Sequence, residues 1–256
     1  EESVKWRLDN VIIPLISLYP KCIGYSILPK EENIHPLAKE RIIYPRFYSA
    51  NYAPENDYKE ILSLLKEDKF SGFSASKQGI RYIKLWLEEH NITRPVVTIT
   101  IRNYKVDVLR NNNIDEWVKF AEWLIEEGFA PVFIPDTDSC FVQEVKLDNF
   151  FVFRESSWNL GLRMALYEES YLNFFIEAGP ASMAKLNRKV RYISMNMLVE
   201  GSQQAEIKNF KKMGFKIGQN YDFAKWYQVL FWKEDSFDNI TQEFQEFLAL
   251  EKINKS

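Results

Sequence analysis

Two arginines, three carboxylates and one glycine–proline turn are the parts of this chain best equipped to do chemistry. Arg102 closes Val96-Val97-Thr98-Ile99-Thr100-Ile101, a β-branched run that reads as a buried strand. At a strand end its planar, two-pronged donor set can hold a phosphate. Arg110 follows in the polar segment Arg110-Asn111-Asn112-Asn113. Further on, the apolar run Phe174-Phe175-Ile176-Glu177-Ala178 stops at Gly179-Pro180-Ala181-Ser182, which opens a small-residue helix. Proline suits a first helical turn because its missing N–H would be unbonded there anyway. The glycine lets the backbone turn sharply. The helix start would then present free N–H groups, with Ser182 beside them, to an anion over the strand's carboxyl end. The same turn would also serve as a plain strand-to-helix connection. Glu177, Asp136 and Asp138 stand at strand ends, where each could take a proton from a reacting hydroxyl, orient a ligand, or merely turn the chain.

These groups meet only if the intervening elements bring them together. An amphipathic helix is expected from Ile114, with Trp117, Phe120, Ala121, Leu124 and Ile125 on one face and a stop at Gly128. Strands follow at Pro131–Pro135, Asn149–Phe153, Tyr171–Ala178 and Arg191–Asn196, with a helix carrying Leu160, Met164, Ala165 and Tyr167 between. This alternation predicts an α/β fold: a Rossmann-like parallel sheet flanked by helices. In the tail, Asn209–Phe215 reads as a helix with a solvated lysine face, and Asp235, Ser236 or Asp238 caps a last helix through Ile240, Phe244 and Phe247. The first ninety residues are less regular. Trp6, Val11, Ile12, Leu15 and Ile16 have helical spacing that Pro14 must end or kink. A short strand is expected at Tyr25–Leu28, a proline-bearing loop over 30–56, and helices at Tyr58–Leu65 and Gly79–Leu87. The expected division is a smaller, mostly helical N-terminal part, residues 1–93, and a Rossmann-like domain, residues 94–256.

In its order of motifs the segment from about Arg94 to Asp238 resembles the nucleotide-sugar-binding half of GT-B-type glycosyltransferases, especially bacterial surface-polysaccharide and heptosyltransferase-like members. The residues that carry the resemblance are Thr98–Arg102, Arg110–Ile114, Phe175–Ser182 and Tyr227–Asp235. It implies a nucleotide-sugar donor lying across the strand ends and a glycan or other hydroxyl acceptor. Arg102, Tyr104, Arg110, Glu177, Gly179, Pro180, Ala181 and Ser182 would line the donor site, with Arg102 on the diphosphate and Glu177 on a ribose or sugar hydroxyl. Residues 1–93 would be a reduced acceptor-side region. No metal and no cofactor beyond the donor is implied, and the base would be Glu177, Asp136 or Asp138. Several heptosyltransferase-like sequences place a histidine shortly after the Gly-Pro turn. This chain has Met183, Ala184 and Lys185 there, so that contact is absent or replaced.

Composition narrows the field. With 256 residues, 46% of them hydrophobic, the chain can bury one sizeable core or two modest ones. A net charge of −3 argues against nucleic acid as a general partner. His35 and His90 are its histidines, so zinc clusters and a Ser-His-Asp triad are poorly supplied; His90 is expected to meet the last carbonyls of its helix. There is neither a G-x-x-x-x-G-K-[ST] loop nor a G-x-G-x-x-G fingerprint. Cys22 and Cys140 suit a reduced, cytoplasmic protein, with a place peripheral to the inner membrane as the alternative, and no apolar run of about twenty residues suggests a spanning helix. Because it begins at Glu1, a trimmed chain or a piece of a larger protein is expected. The rival to a transferase is a non-catalytic nucleotide- or sugar-binding module, or a structural domain of a larger polysaccharide-assembly protein.

Overall fold

A computed structural model describes residues 2–27, 63–67, 72–105, 107–142, 145–202 and 205–255. Six strands form one sheet: β1 (Val96–Thr100), β2 (Ala130–Ile134), β3 (Phe151–Val152), β4 (Leu172–Ile176), β5 (Tyr192–Met195) and β6 (Gln228–Leu230). All neighbours pair in parallel, in the order β3-β2-β1-β4-β5-β6. This is the doubly wound Rossmann-like arrangement, and its connections diverge between β1 and β4. The central strands are continuous apolar runs because helices cover both faces. On one face Val97, Ile99, Phe133 and Phe174 meet Trp117, Phe120 and Leu124 of the helix Ile114–Glu126 and Phe244 of the helix Phe237–Lys255. Edge-to-face rings, such as Phe120 on Phe174 at 5.1 Å, fill this layer. On the other face Val96, Val132 and Phe175 pack under the helices Lys77–Glu89, Leu160–Glu169 and Gly179–Lys185.

The helix Lys77–Glu89 begins at Ser76, whose Oγ accepts the Gly79 N–H at 3.0 Å. A Cβ on Gly79 would stand 3.2 Å from the Cβ of Ala165, so glycine lets this helix lie close on Leu160–Glu169. Ile83 thereby joins the sheet's core, and His90 contacts the carbonyl of Trp86 as expected. At the N-terminus Glu2–Arg7 and Ile13–Ser17 are α-helical, and a wide π turn, Leu8–Ile12, joins them. Pro14 sits in the first turn after that π segment, where its lack of an N–H is tolerated.

One expectation differs. Tyr25–Ile27 has no regular structure, and both apolar side chains are more than half exposed; with no face to bury, the segment joins no strand. Leu28, residues 30–56 and the Tyr58–Leu62 part of the expected helix lie outside the described residues; residues 63–66 are helical. In the last helix Ser236 acts as cap, its carbonyl accepting the Ile240 N–H at 2.9 Å.

Asp235 does something larger than capping. Its buried carboxylate accepts Trp117 Nε1–H at 2.7 Å, the Asn113 backbone N–H at 3.1 Å and Asn196 Nδ2–H at 2.7 Å. Asn196 follows β5 in the left-handed region, φ 53°, which asparagine tolerates better than most residues. Burial pushes the Asp235 pKa up, and the donors of Trp117 and Asn113 draw it back.

Asp235→Ala should lower stability by about 2–4 kcal/mol in urea unfolding, because it strands several buried donors at once. A loss below about 0.5 kcal/mol would show that the network is dispensable. A second test uses Glu243 on the last helix, pushed up from 4.5 to about 7 by burial and then by Glu246, with Lys233 opposing. The folded state holds its proton more tightly than the unfolded chain does. Its contribution is therefore complete below pH 4.5 and is lost as pH rises through about 7. Relative to Glu243→Gln, the wild-type melting temperature should fall by roughly 2–4 °C between pH 5 and 8, allowing for partial exposure. Parallel curves would refute the shift.

Candidate functional site

The carboxyl ends of β1, β2 and β4 open onto a cleft of about 1400 Å³ at the point where the connections diverge. Arg102, Tyr104 and Arg110 line it from the segment after β1, Asp136 and Asp138 from the turn after β2. Glu177, Gly179, Pro180 and Ser182 line it after β4. The opposite wall is the N-terminal helical segment, through Trp6, Arg7, Asn10, Val11 and Leu15. Residues far apart in sequence thus share one space, and of the expected donor-site set only Ala181 is missing from its wall. Ala181 is fully buried in the core.

The segment after β1 is tied down by its asparagines. Asn112 Oδ1 accepts the Arg102 N–H at 2.6 Å, and Asn111 Oδ1 accepts both Arg102 Nη1–H and the Tyr104 N–H at 2.9 Å. Arg102 also lies over the Tyr104 ring, 5.2 Å from its centroid. Arg110 donates to the carbonyl of Glu177, linking this segment to the end of β4. Burial lowers the Arg102 pKa, and the neighbouring charge of Arg110 lowers it further.

The Gly-Pro turn is less open than its sequence implies. The Ala181 and Ser182 N–H groups both turn to the carbonyl of Ala178, at 3.0 and 3.4 Å. Pro180 has no N–H to offer, so the expected amide cradle at Ala181 and Ser182 is already occupied within its own turn. Glu177 is engaged as well. Its carboxylate pairs with Lys185, whose side chain is 2% exposed, and Ser194 Oγ stands 3.4 Å away. Burial lowers the Lys185 pKa, and the pairing with Glu177 opposes that shift. Lys185 therefore points into the protein and supplies no contact to the cleft. Asp136 Oδ2 accepts the Asn103 N–H at 2.9 Å, whereas Asp138 is exposed at the rim. Among the described residues no group of His, Cys, Asp and Glu is gathered as a metal site.

Two further residues belong to the site. Arg163 is 3% exposed yet lines the cleft and a recess of about 110 Å³ in its floor. The only sequence signal for it is an arginine amid the apolar positions Leu160, Leu162, Met164 and Ala165. Trp158 lines the rim with its ring stacked on Phe141, centroids 4.9 Å apart.

No protein-family model matches the chain, and no curated protein does either. The site and topology place it among Rossmann-like proteins with a cleft at the switch point. Among solved structures it is similar to a glycosyl transferase family 9 protein from Veillonella parvula, at 13% identity and a TM-score of 0.41, over 50% of this chain and 38% of that one. It is also similar to the E. coli ADP-heptose LPS heptosyltransferase II, at 11% identity and a TM-score of 0.46, over 72% of this chain and 55% of that one. The chain therefore spans between about two fifths and somewhat over half the length of these neighbours. Among the described residues no helix is long and apolar enough to cross a membrane.

Glu177→Gln removes the counter-charge of a buried ammonium and should cost about 3–5 kcal/mol in urea unfolding. Adding Lys185→Met should restore most of that loss. If Glu177→Gln unfolds like the wild type, the pair is not structural and the carboxylate is free for chemistry.

Proposed function

We propose that this chain transfers a sugar from a nucleotide-activated donor to a hydroxyl of a glycan acceptor, as a cytoplasmic step in bacterial surface polysaccharide synthesis. The observation that carries the reading is the convergence of Arg102 and Arg110 on a large cleft at the sheet's switch point. It agrees with the GT-B resemblance of the motifs from Arg94 to Asp238. Residues 94–256 would hold the donor and residues 1–93 the acceptor side, the N-terminal helices forming the facing wall.

In the reaction the acceptor oxygen bonds to the anomeric carbon as the bond from that carbon to the diphosphate oxygen breaks. The acceptor proton passes to a base and the nucleoside diphosphate leaves. Arginine cations take up the negative charge that grows on the leaving group, without a bound metal in this reading. Tyr104 and the Gly179–Ser182 turn complete the donor's surroundings by shape and contact, since the Ala181 and Ser182 amides are committed to Ala178. Of the candidate bases, Glu177 is held by Lys185 and Asp136 by Asn103, so Asp138 takes the role. Those two engaged carboxylates also favour a second reading, a module that binds the nucleotide without turnover.

A melting-temperature screen with GDP, UDP, ADP and CMP tests the donor site. A ligand at about 100 times its Kd adds roughly 2.7 kcal/mol, several degrees for a chain this size. The rise should occur with one nucleotide class and vanish in Arg102→Ala. Asp138→Asn should bind equally well yet transfer or hydrolyse the donor about 100-fold or more slowly. Binding without turnover in the wild type would select the module; no shift with any nucleotide at millimolar concentration would defeat both readings.

A further inference from the structure

Among the described arginines Arg163 alone is buried. Among the described residues no carboxylate forms an ion pair with it, and its side-chain hydrogen bond is from Nε to the carbonyl of Ser156 at 2.6 Å. That bond fixes the plane of the guanidinium and leaves the two terminal nitrogens without a protein acceptor among the described residues. Arg163 lines the recess together with Thr100, Arg102, Asp136, Ala178 and Pro180.

An interior cation without a carboxylate partner is costly unless something negative meets it. Asp136 is the carboxylate on the recess wall, but its Oδ2 already accepts from Asn103 and it faces two guanidinium groups, with Arg110 close to Arg102. The balance there is positive. A guanidinium fork matches the oxygen spacing of a phosphoryl group and binds it through two parallel hydrogen bonds. Size selects as well. The recess, about 110 Å³, is small beside the cleft of about 1400 Å³ that shares its wall. A compact phosphoryl group suits it better than a whole nucleoside.

We propose that Arg163, with Arg102 beside it, seats one phosphoryl group of the ligand in this recess, so that the phosphate lies beneath the cleft floor and the rest of the molecule extends into the cleft. This deepens the donor-site reading above and rests on it for the identity of the whole ligand. It moves the phosphate contact from the closed Gly-Pro turn to a helix that the sequence marks only by one misplaced charge. Burial lowers the Arg163 pKa and Tyr167 and Asp136 oppose that shift; an anion in the recess would oppose it further.

Inorganic pyrophosphate, nucleoside diphosphates and the corresponding nucleosides are the probes, titrated by calorimetry into the wild type, Arg163→Met and Arg163→Lys. Pyrophosphate and one nucleoside diphosphate should bind the wild type, with the nucleosides far weaker. Arg163→Met should weaken both phosphate ligands by about tenfold or more, the worth of a charge-assisted hydrogen bond or two. Arg163→Lys, which keeps charge but loses the fork, should fall between and serves if the methionine variant does not fold. A crystal structure of the wild type with pyrophosphate needs no variant and should place a phosphorus within the recess. Unchanged affinity in a folded Arg163 variant, or pyrophosphate seated elsewhere, overturns the assignment even if sugar transfer is found. Arg163-dependent binding in a chain that turns over no nucleotide sugar upholds the seat and removes the transferase reading. A wild type that binds neither phosphate ligand overturns the seat.

Discussion

The carboxylate of Asp235 is the point on which the order of this molecule's working end depends. A parallel sheet delivers its strands to one edge but leaves the segments beyond that edge to find their own constraints. Here one buried acid gathers three of them: the start of the helix Ile114–Glu126, the residue after β5, and the approach to the last helix. Asn112 stands next to Asn113 on that hub, and its Oδ1 holds the Arg102 backbone. A chain of directional contacts thus runs from the interior to the arginine at the cleft. Each link is a polar group that would be expensive to leave unpaired, which is why the arrangement specifies one conformation.

The sheet was legible in the sequence because its signal is local. Val96–Thr100, Ala130–Ile134 and Leu172–Ile176 are runs of β-branched and aromatic residues, and each lies within a few residues of its expected place. The gathering of Arg102, Arg110, Asp136, Asp138 and Glu177 followed from the topology once those strands were parallel. What the sequence concealed depends on distant partners. Asp235 reads as a cap because its local context is a helix start, while Trp117, which donates to it, is 118 residues away. Glu177 reads as a free carboxylate because nothing in the strand announces that Lys185 turns inward. Arg163 is hidden by its apolar neighbours. The Gly-Pro turn misleads for a simpler reason: geometry that suits an anion suits a self-closing turn equally well.

Aromatic usage shows how the two halves of the structure divide their work. In the layer between the sheet and the helices Ile114–Glu126 and Phe237–Lys255 many large rings pack edge to face, so that area burial and ring geometry reinforce each other. The layer on the other face carries the cleft and more polar groups. There Thr100 Oγ1 meets the Tyr167 hydroxyl at 2.8 Å, and Asn173 bridges Thr98 and the Tyr167 carbonyl. A greasy face provides adhesion, and a hydrogen-bonded face provides the precision a recess needs.

The presence of Arg102, Arg110 and Arg163 on one cleft has a consequence for how the protein responds to ionic strength. With the recess vacant, Arg102 and Arg110 repel across a partly desolvated space, and dissolved salt relieves that repulsion by screening and by lending counter-ions. With a polyanion in place the same salt weakens an attraction. Added salt therefore makes the vacant protein sturdier and the occupied one looser, and the gap between their melting temperatures narrows from both sides.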